Sequence, residues 1–326
     1  LKRIIIGGSG STGSSVLKNI LGRNSSIAST IETSLFCKRQ LYQNFNKNKW
    51  RINLKFPFGL RNHGYHLYRK TDVNLIPGLG PEKLNDFINC SHGLQEFADK
   101  IFLKDGKDSW VEKTPANSYN FDLFLKVIEN GHVIHTVRNP YDALTSLILR
   151  GHSGIYAAGI YLLNALSALN VADREEYTEI RYEELTGNPG QIVEQLFNRL
   201  KIPLEGNEII PCEVDNEFTN IDSWNKSEIG PIEKNEGRFR NATPAIQQLV
   251  SLLIESIYVS KSGAIYYNVP PISLKELVSE LGYKLEPVPK SNEVIKLGNA
   301  LRMDRLYRLY KLYSPHFYHY PLSIIK

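Results

Sequence analysis

Two rhythms of apolar positions alternate along the chain. Short unbroken runs, Ile4–Ile6 and "HVIHTV" (His132–Val137), read as strands buried on both faces, and "YTEIRYEEL" reads as a third. Segments of helical period go with them. One runs from about Ser14 to Leu21 after the first strand, and "NPYDALTSLILR" follows the second; "NSYNFDLFLKVIEN" leads into that second strand. After the third comes "NPGQIVEQLFNRLKIP", with Pro189 near the helix start and Ile192, Leu196, Phe197 and Leu200 as its apolar stripe. This alternation predicts an α/β fold, a parallel β-sheet flanked by helices, with ligands expected at the carboxyl ends of its strands.

From about residue 36 to 110 the rhythm is lost. "KRQLYQNFNKNKWRINLKFPFGLRNHGYHLYRK" is basic and aromatic. It is expected to form an acceptor-side insertion over the cleft, a solvated tyrosine-rich surface being the alternative. Residues 269–326 read as a helical C-terminal extension built on "SLKELVSELGYKL" and "ALRMDRLYRLYKLY". In the second of these, Leu306, Leu309, Tyr310 and Tyr313 line one face and Arg302, Arg305 and Arg308 another, as in an amphipathic helix packed on the domain. Residues 1–268 read as one nucleotide-binding domain.

Composition narrows the class. With 326 residues the chain can bury a large core, and 42% hydrophobic with 22% charged residues is the balance of a soluble globular protein. A formal net charge of +5 suits an anionic ligand. Neither zinc-finger spacing nor an RNA-binding signature is present, so nucleic acid is not the expected partner. Cys37, Cys90 and Cys212 are too widely spaced for a metal site or a disulfide framework, and are expected to be buried thiols. No apolar run reaches the length of a membrane span. The chain opens on Leu1 rather than methionine, and sequons stand at Asn24, Asn89, Asn225 and Asn241. Cytoplasmic placement is expected over a secretory-lumen domain with its anchor trimmed.

The first strand runs into "GGSGSTGSS". Gly8, Gly10 and Gly13 spell the dinucleotide pattern GxGxxG, while Gly8 to Gly13 also spell the GxxxxG of a P-loop, with Ser14 where its lysine should stand. Either reading gives a glycine turn that presents the free N–H groups and positive dipole end of a helix to an anion. A second candidate for phosphate lies in "HTVRNPYDALTSLILR". There Arg138 ends a strand, Asn139 can cap, Pro140 can open the helix, and Asp142, Ser146 and Arg150 share one helical face.

"VRNPYDALTS" resembles the 3′-phosphate segment of sulfotransferases that use 3′-phosphoadenosine 5′-phosphosulfate (PAPS). "STGSSVL" resembles the 5′-phosphosulfate loop of that family, and "VEKTPANS" its central lysine segment. "IRYEELTGNPGQIVEQLFNRLKIP" and "NEGRFRNATPAIQQL" resemble its tyrosine-containing strand with the following helix and its late Gly-x-(Trp/Phe)-(Lys/Arg)-Asn segment. The five segments run in the family's order, and the 5′ loop is most like that of the tyrosylprotein branch. The resemblance implies a P-loop-like sheet and assigns roles. Gly10, Ser11, Thr12, Gly13, Ser14 and Ser15 would hold the 5′-phosphosulfate. Arg138 and Ser146 would take the 3′-phosphate, with Arg238 and Arg240 closing over it and Lys234 as a rival. Tyr182 would seat the nucleotide, and Lys113 would lie against the sulfuryl group.

Two departures matter. Ser11 stands where the family usually has lysine or arginine, which leaves Lys18 or Lys113 to compensate. Pro115 stands where the cytosolic branch has its histidine base. The tyrosylprotein branch uses a glutamate about twenty residues beyond the loop, and "TIETSLF" puts Glu32 nineteen residues after Gly13. Glu32 is therefore the expected base, with His63 or His66 next in line. The expected reaction moves a sulfuryl group from PAPS to a hydroxyl of a peptide tyrosine, carbohydrate or small alcohol. It releases 3′-phosphoadenosine 5′-phosphate (PAP) and needs no metal. The rivals are an NAD(P)-dependent oxidoreductase using the GxGxxG loop, a P-loop kinase or NTPase, and a non-catalytic nucleotide-binding protein. "SSIASTIETS" does not read as the strongly apolar strand that the first rival needs before its acid.

Overall fold

The computed structural model describes residues 1–29, 32–52, 81–103, 106–206, 236–287 and 322–324. The first apolar run becomes β1 (Arg3–Gly8), buried throughout, and the glycine turn delivers it to α1 (Ser14–Leu21). A short β2 (Ile27–Ser29) follows, then α2 (Arg39–Gln43), α3 (Phe45–Asn48), α4 (Pro81–Cys90) and α5 (Leu94–Phe102). The chain returns as β3 (Ser109–Lys113), turns through a 3-10 segment at Pro115–Asn120 into α6 (Phe121–Val127), and enters β4 (Gly131–Val137). Next come α7 (Pro140–Leu149), α8 (Gly154–Leu169), β5 (Tyr177–Arg181), α9 (Tyr182–Gly187) and α10 (Pro189–Leu200). Beyond these lie α11 (Pro244–Ser256), β6 (Ile257–Val259), α12 (Lys261–Tyr267), α13 (Leu274–Glu280) and β7 (Leu322–Ile324).

The main sheet has five parallel strands in the order β2-β3-β1-β4-β5. Successive residues of β1 face opposite sides. Ile5 enters a core with Phe36, Phe97, Trp110, Phe121 and Phe124, whereas Ile4 and Ile6 enter one with Leu17, Ile20, Leu196 and Phe197. Burial on both faces explains why this strand reads as a continuous apolar run. A third cluster joins α7, α8, α11 and α13, with α8 buried around most of its circumference. β6 and β7 form a separate antiparallel pair.

Several expectations need correction. A short strand not foreseen, β2, lies within "SSIASTIETS"; it ends at Ser29 and does not run into Glu32. "YTEIRYEEL" is strand only to Arg181; Tyr182 opens α9. The buried stripe of α10 uses Val193 with Leu196, Phe197 and Leu200, and Ile192 is only partly buried. The described parts of 36–110 are not mere surface: Phe36, Leu41, Phe45, Leu84, Ile88 and Phe97 build one side of the core. Their helices are short and their partners distant in sequence, so local periodicity carries little signal. Residues 53–80, where His63 and His66 fall, lie outside the described residues, as do Lys234, Cys212 and "ALRMDRLYRLYKLY". The α13 helix packs Leu274, Leu277 and Val278 into the core and carries a Ser273–Glu276 capping box. Cys90 is exposed and Cys37 partly so, against the expectation of buried thiols. Asn24 is buried with its amide on the Pro203 carbonyl (2.9 Å), so this sequon is closed to a glycan in the folded chain.

Candidate active site

All the strand ends that matter point to one edge of the sheet. After β1 the chain leaves toward β2 and β3; after β4 it leaves toward β5. The crevice between those two departures is where α/β sheets bind ligands. Gly8 pairs with Thr136 in register, which sets the loop after β1 beside Arg138 at the end of β4.

The loop is built for close backbone approach. A Cβ on Gly8 would lie 2.4 Å from the Thr136 carbonyl, and one on Gly13 (φ +87°) would strike the Tyr182 ring at 2.7 Å. Ser11 also takes a left-handed conformation (φ +69°), a strained choice for a residue with a side chain. The Thr12 hydroxyl is spent inside the loop, donating to the Ser9 carbonyl (2.6 Å) and bonding the Thr136 hydroxyl (2.7 Å). Gly13, the N-cap of α1, has no side chain with which to cap it, and a helix start of this kind offers its first N–H groups to an anion. Among the described residues the Ser11 hydroxyl is buried without a partner. A buried polar atom and an uncapped helix start fit an anionic group there.

Arg138 is nearly buried. It donates to the Ser11 carbonyl (3.1 Å), lies over the Tyr182 ring (4.4 Å to its centre) and stands 3.8 Å from Asp142. Burial pulls its guanidinium below the ordinary value, against the opposing pull of Tyr182 and Asp142. One turn along α7, the Ser146 hydroxyl accepts from Arg238 (3.0 Å). The predicted residues of the loop, Arg138, Tyr182, Ser146 and Arg238 thus come together. Arg240 does not join them: it is mostly exposed and paired with Glu286 (2.8 Å).

A second group lies on the other side of β1. Lys113 ends β3 opposite Ile6 and is buried, and its ammonium pairs with the Glu32 carboxylate beyond β2. In a dinucleotide-binding unit the ribose acid follows the strand beside β1. Here β3 occupies that place, and Glu32 follows the strand beyond it.

Sequence reasoning missed what holds these groups. Glu112 is fully buried and accepts from the Thr33 N–H (2.8 Å), the Thr33 hydroxyl (3.0 Å), the Thr114 hydroxyl (2.7 Å) and the Asn117 amide (2.6 Å). It fastens the turn after Glu32 to the strand that ends in Lys113. Burial raises its pKa, and the hydrogen bonds oppose that rise. Asp142 accepts from the Gly237 and Phe239 N–H groups (2.8 Å each), docking the late segment on α7 and setting Arg238 over Ser146. The shared face of Asp142 and Ser146 was the only sign of this in the sequence.

A protein-family model described as "Sulfotransferase family" matches residues 3–206. Among solved structures, the sulfotransferase domain of the Synechococcus PCC 7002 olefin synthase is similar in fold, with a TM-score of 0.56 at 15% identity, covering 87% of this chain and 95% of that one. The sulfotransferase domain of the curacin biosynthetic pathway gives a TM-score of 0.51 at 19% identity, covering 88% and 99%. No curated protein matches the chain.

Proposed function

This chain belongs to the sulfotransferase family, and on that premise we propose that it moves a sulfuryl group from PAPS to a hydroxyl acceptor and releases PAP. The observation that carries the reading is a cluster one strand from the loop, Arg138, Ser146 and Arg238 gathered beside the start of α1, which we read as a second anion site. A nucleotide with phosphate at both 5′ and 3′ positions needs two such sites; AMP and ATP need one. The interposed strand β3 counts against the nicotinamide reading.

PAPS supplies the sulfuryl group. Sulfuryl transfer resembles phosphoryl transfer, so the protein's share is positioning and charge. The N–H groups of the loop and of α1 hold the 5′ end, Arg138 with Ser146 and Arg238 the 3′ end. As the acceptor oxygen bonds to sulfur and the bond to the 5′-phosphate oxygen breaks, the acceptor proton passes to the Glu32 carboxylate. Lys113 stabilises the negative charge left on the departing oxygen. An acceptor hydroxyl ionises far above neutrality, at about 10 for tyrosine, so a carboxylate at that oxygen matters. The spacing of Glu32 supports an acceptor of the tyrosylprotein kind among the hydroxyl classes. A screen of peptide, carbohydrate and small-alcohol acceptors with labelled PAPS separates them.

The donor site is tested by calorimetry. PAP should bind more tightly than AMP, ATP or NADPH. Arg138→Ala should erase most of that preference, since it removes the charged partner of the 3′-phosphate. Equal affinities for PAP and AMP in the unaltered protein overturn the reading. PAP binding without turnover against any acceptor class favours a non-catalytic nucleotide-binding protein, the reading that the missing charge at Ser11 supports.

A further inference from the structure

The family match ends at residue 206, yet residues 281–286 reach back to β5, α9, α7 and the late segment around the Arg138 site. Arg181, at the end of β5, donates to the Leu281 carbonyl (2.8 Å) and lies over the Tyr283 ring (5.2 Å). The Glu286 N–H donates to the Tyr141 hydroxyl (3.0 Å), and its carboxylate pairs with Arg240 (2.8 Å). At the centre, the Glu183 carboxylate bridges two groups. One oxygen accepts from the Asn139 N–H (2.7 Å) and the other from the Tyr283 hydroxyl (3.0 Å). Asn139 follows Arg138 directly, and its own side chain caps α7 by accepting from the Tyr141 N–H (3.0 Å). The strap therefore holds the turn that aims Arg138, the first turn of α7 and the late segment in one arrangement.

We propose that residues 281–286 are a positioning strap for the second phosphate site, acting through Tyr283 and Glu183 on the turn that carries Arg138. Neither residue is placed to hold the phosphate itself: Glu183 is an acid, and Tyr283 spends its hydroxyl on Glu183. Their effect runs through the direction of the Arg138 guanidinium, where a small error in aim weakens a charge-assisted contact. The proposal rests on the reading of this site as a 3′-phosphate site. It predicts a loss confined to ligands that carry that phosphate.

The test compares PAP and AMP by titration calorimetry. Tyr283→Phe keeps the ring over Arg181 and removes only the hydroxyl. It should weaken PAP by about fivefold to tenfold, the scale of one hydrogen bond to a charged group, and leave AMP unchanged. Glu183→Ala should lose at least as much. Glu183→Gln can accept from Asn139 and donate to the Tyr283 oxygen, so it should stay near the unaltered protein and gives the reading even if Tyr283→Phe does not fold. Equal losses for PAP and AMP, no loss in Tyr283→Phe, or a Glu183→Gln variant as weak as Glu183→Ala overturns the strap. Failure of the unaltered protein to prefer PAP over AMP overturns the 3′-phosphate reading and the strap with it.

Discussion

Glu32 and Lys113 bind each other in a place where neither is well hydrated, and this sets what their replacement does. Glu32→Gln fills the same space but can neither accept the acceptor proton nor balance the Lys113 ammonium. Single-turnover transfer at saturating PAPS should fall by roughly 10² to 10⁴, while PAP affinity is preserved because the Arg138 cluster lies across β1. A near-normal transfer rate would remove Glu32 from the mechanism. The unfolding midpoint should fall too, since the variant leaves a buried cation without its counter-charge. Lys113→Ala should also slow transfer, by loss of charge stabilisation rather than of proton acceptance.

At the scale of elements, α7 organises one half of the site through Asp142. Its two oxygens each accept a backbone N–H from the Gly237–Phe239 segment. Asn at this position offers one acceptor and sets an N–H₂ against the other N–H. Asp142→Asn should therefore release the segment, separate Arg238 from Ser146, and weaken PAP by about tenfold, on the scale of a lost charged hydrogen bond. Amide exchange at Gly237 and Phe239 should speed up in the same variant. Unchanged exchange there would mean that something other than Asp142 holds the segment.

Legibility followed the range of the interactions. The extents of α1 and β4 and the Asn139 cap were plain, because period and capping chemistry are local. The loop, Arg138, Ser146, Tyr182 and Arg238, which the fold brings together, could be singled out because they sit on such elements in a fixed order. Glu112 and Glu183 were invisible, because the contacts by which each braces the site are distant in sequence: Glu112 to Thr33, beside its nearby bonds to Thr114 and Asn117, and Glu183 to Asn139 and Tyr283. β2 was missed because three residues cannot show a period.

At the scale of the whole molecule, two histidines make folding sensitive to acid. Burial lowers the imidazoles of His132 and His135 from 6.5 to about 3, and both are engaged in the fold, with the Thr178 and Tyr177 hydroxyls (2.8 Å each). A depressed folded pKa means that the unfolded chain takes up protons first. Their contribution is full above about pH 6.5 and is lost as the pH falls toward 3, at up to about 1.4 kcal/mol per pH unit for each. The urea midpoint should drop across that window, and His135→Gln should flatten the slope. An unchanged slope would mean that His135 is protonated in the fold.

Arg199 reaches from α10 to the carbonyls of Glu175 and Tyr177, at 3.2 and 2.8 Å, beside β5. Among the described residues β5 is one margin of the sheet, and its Glu179 and Arg181 form a charged pair there (3.1 Å). Among the described residues the other margin, β2, is three residues long. A parallel sheet whose margins are brief, charged and partly claimed by an arginine offers little template for strand addition from another molecule. The consequence reaches beyond catalysis: the same sheet that exposes its strand ends to a ligand is guarded along its sides against aggregation.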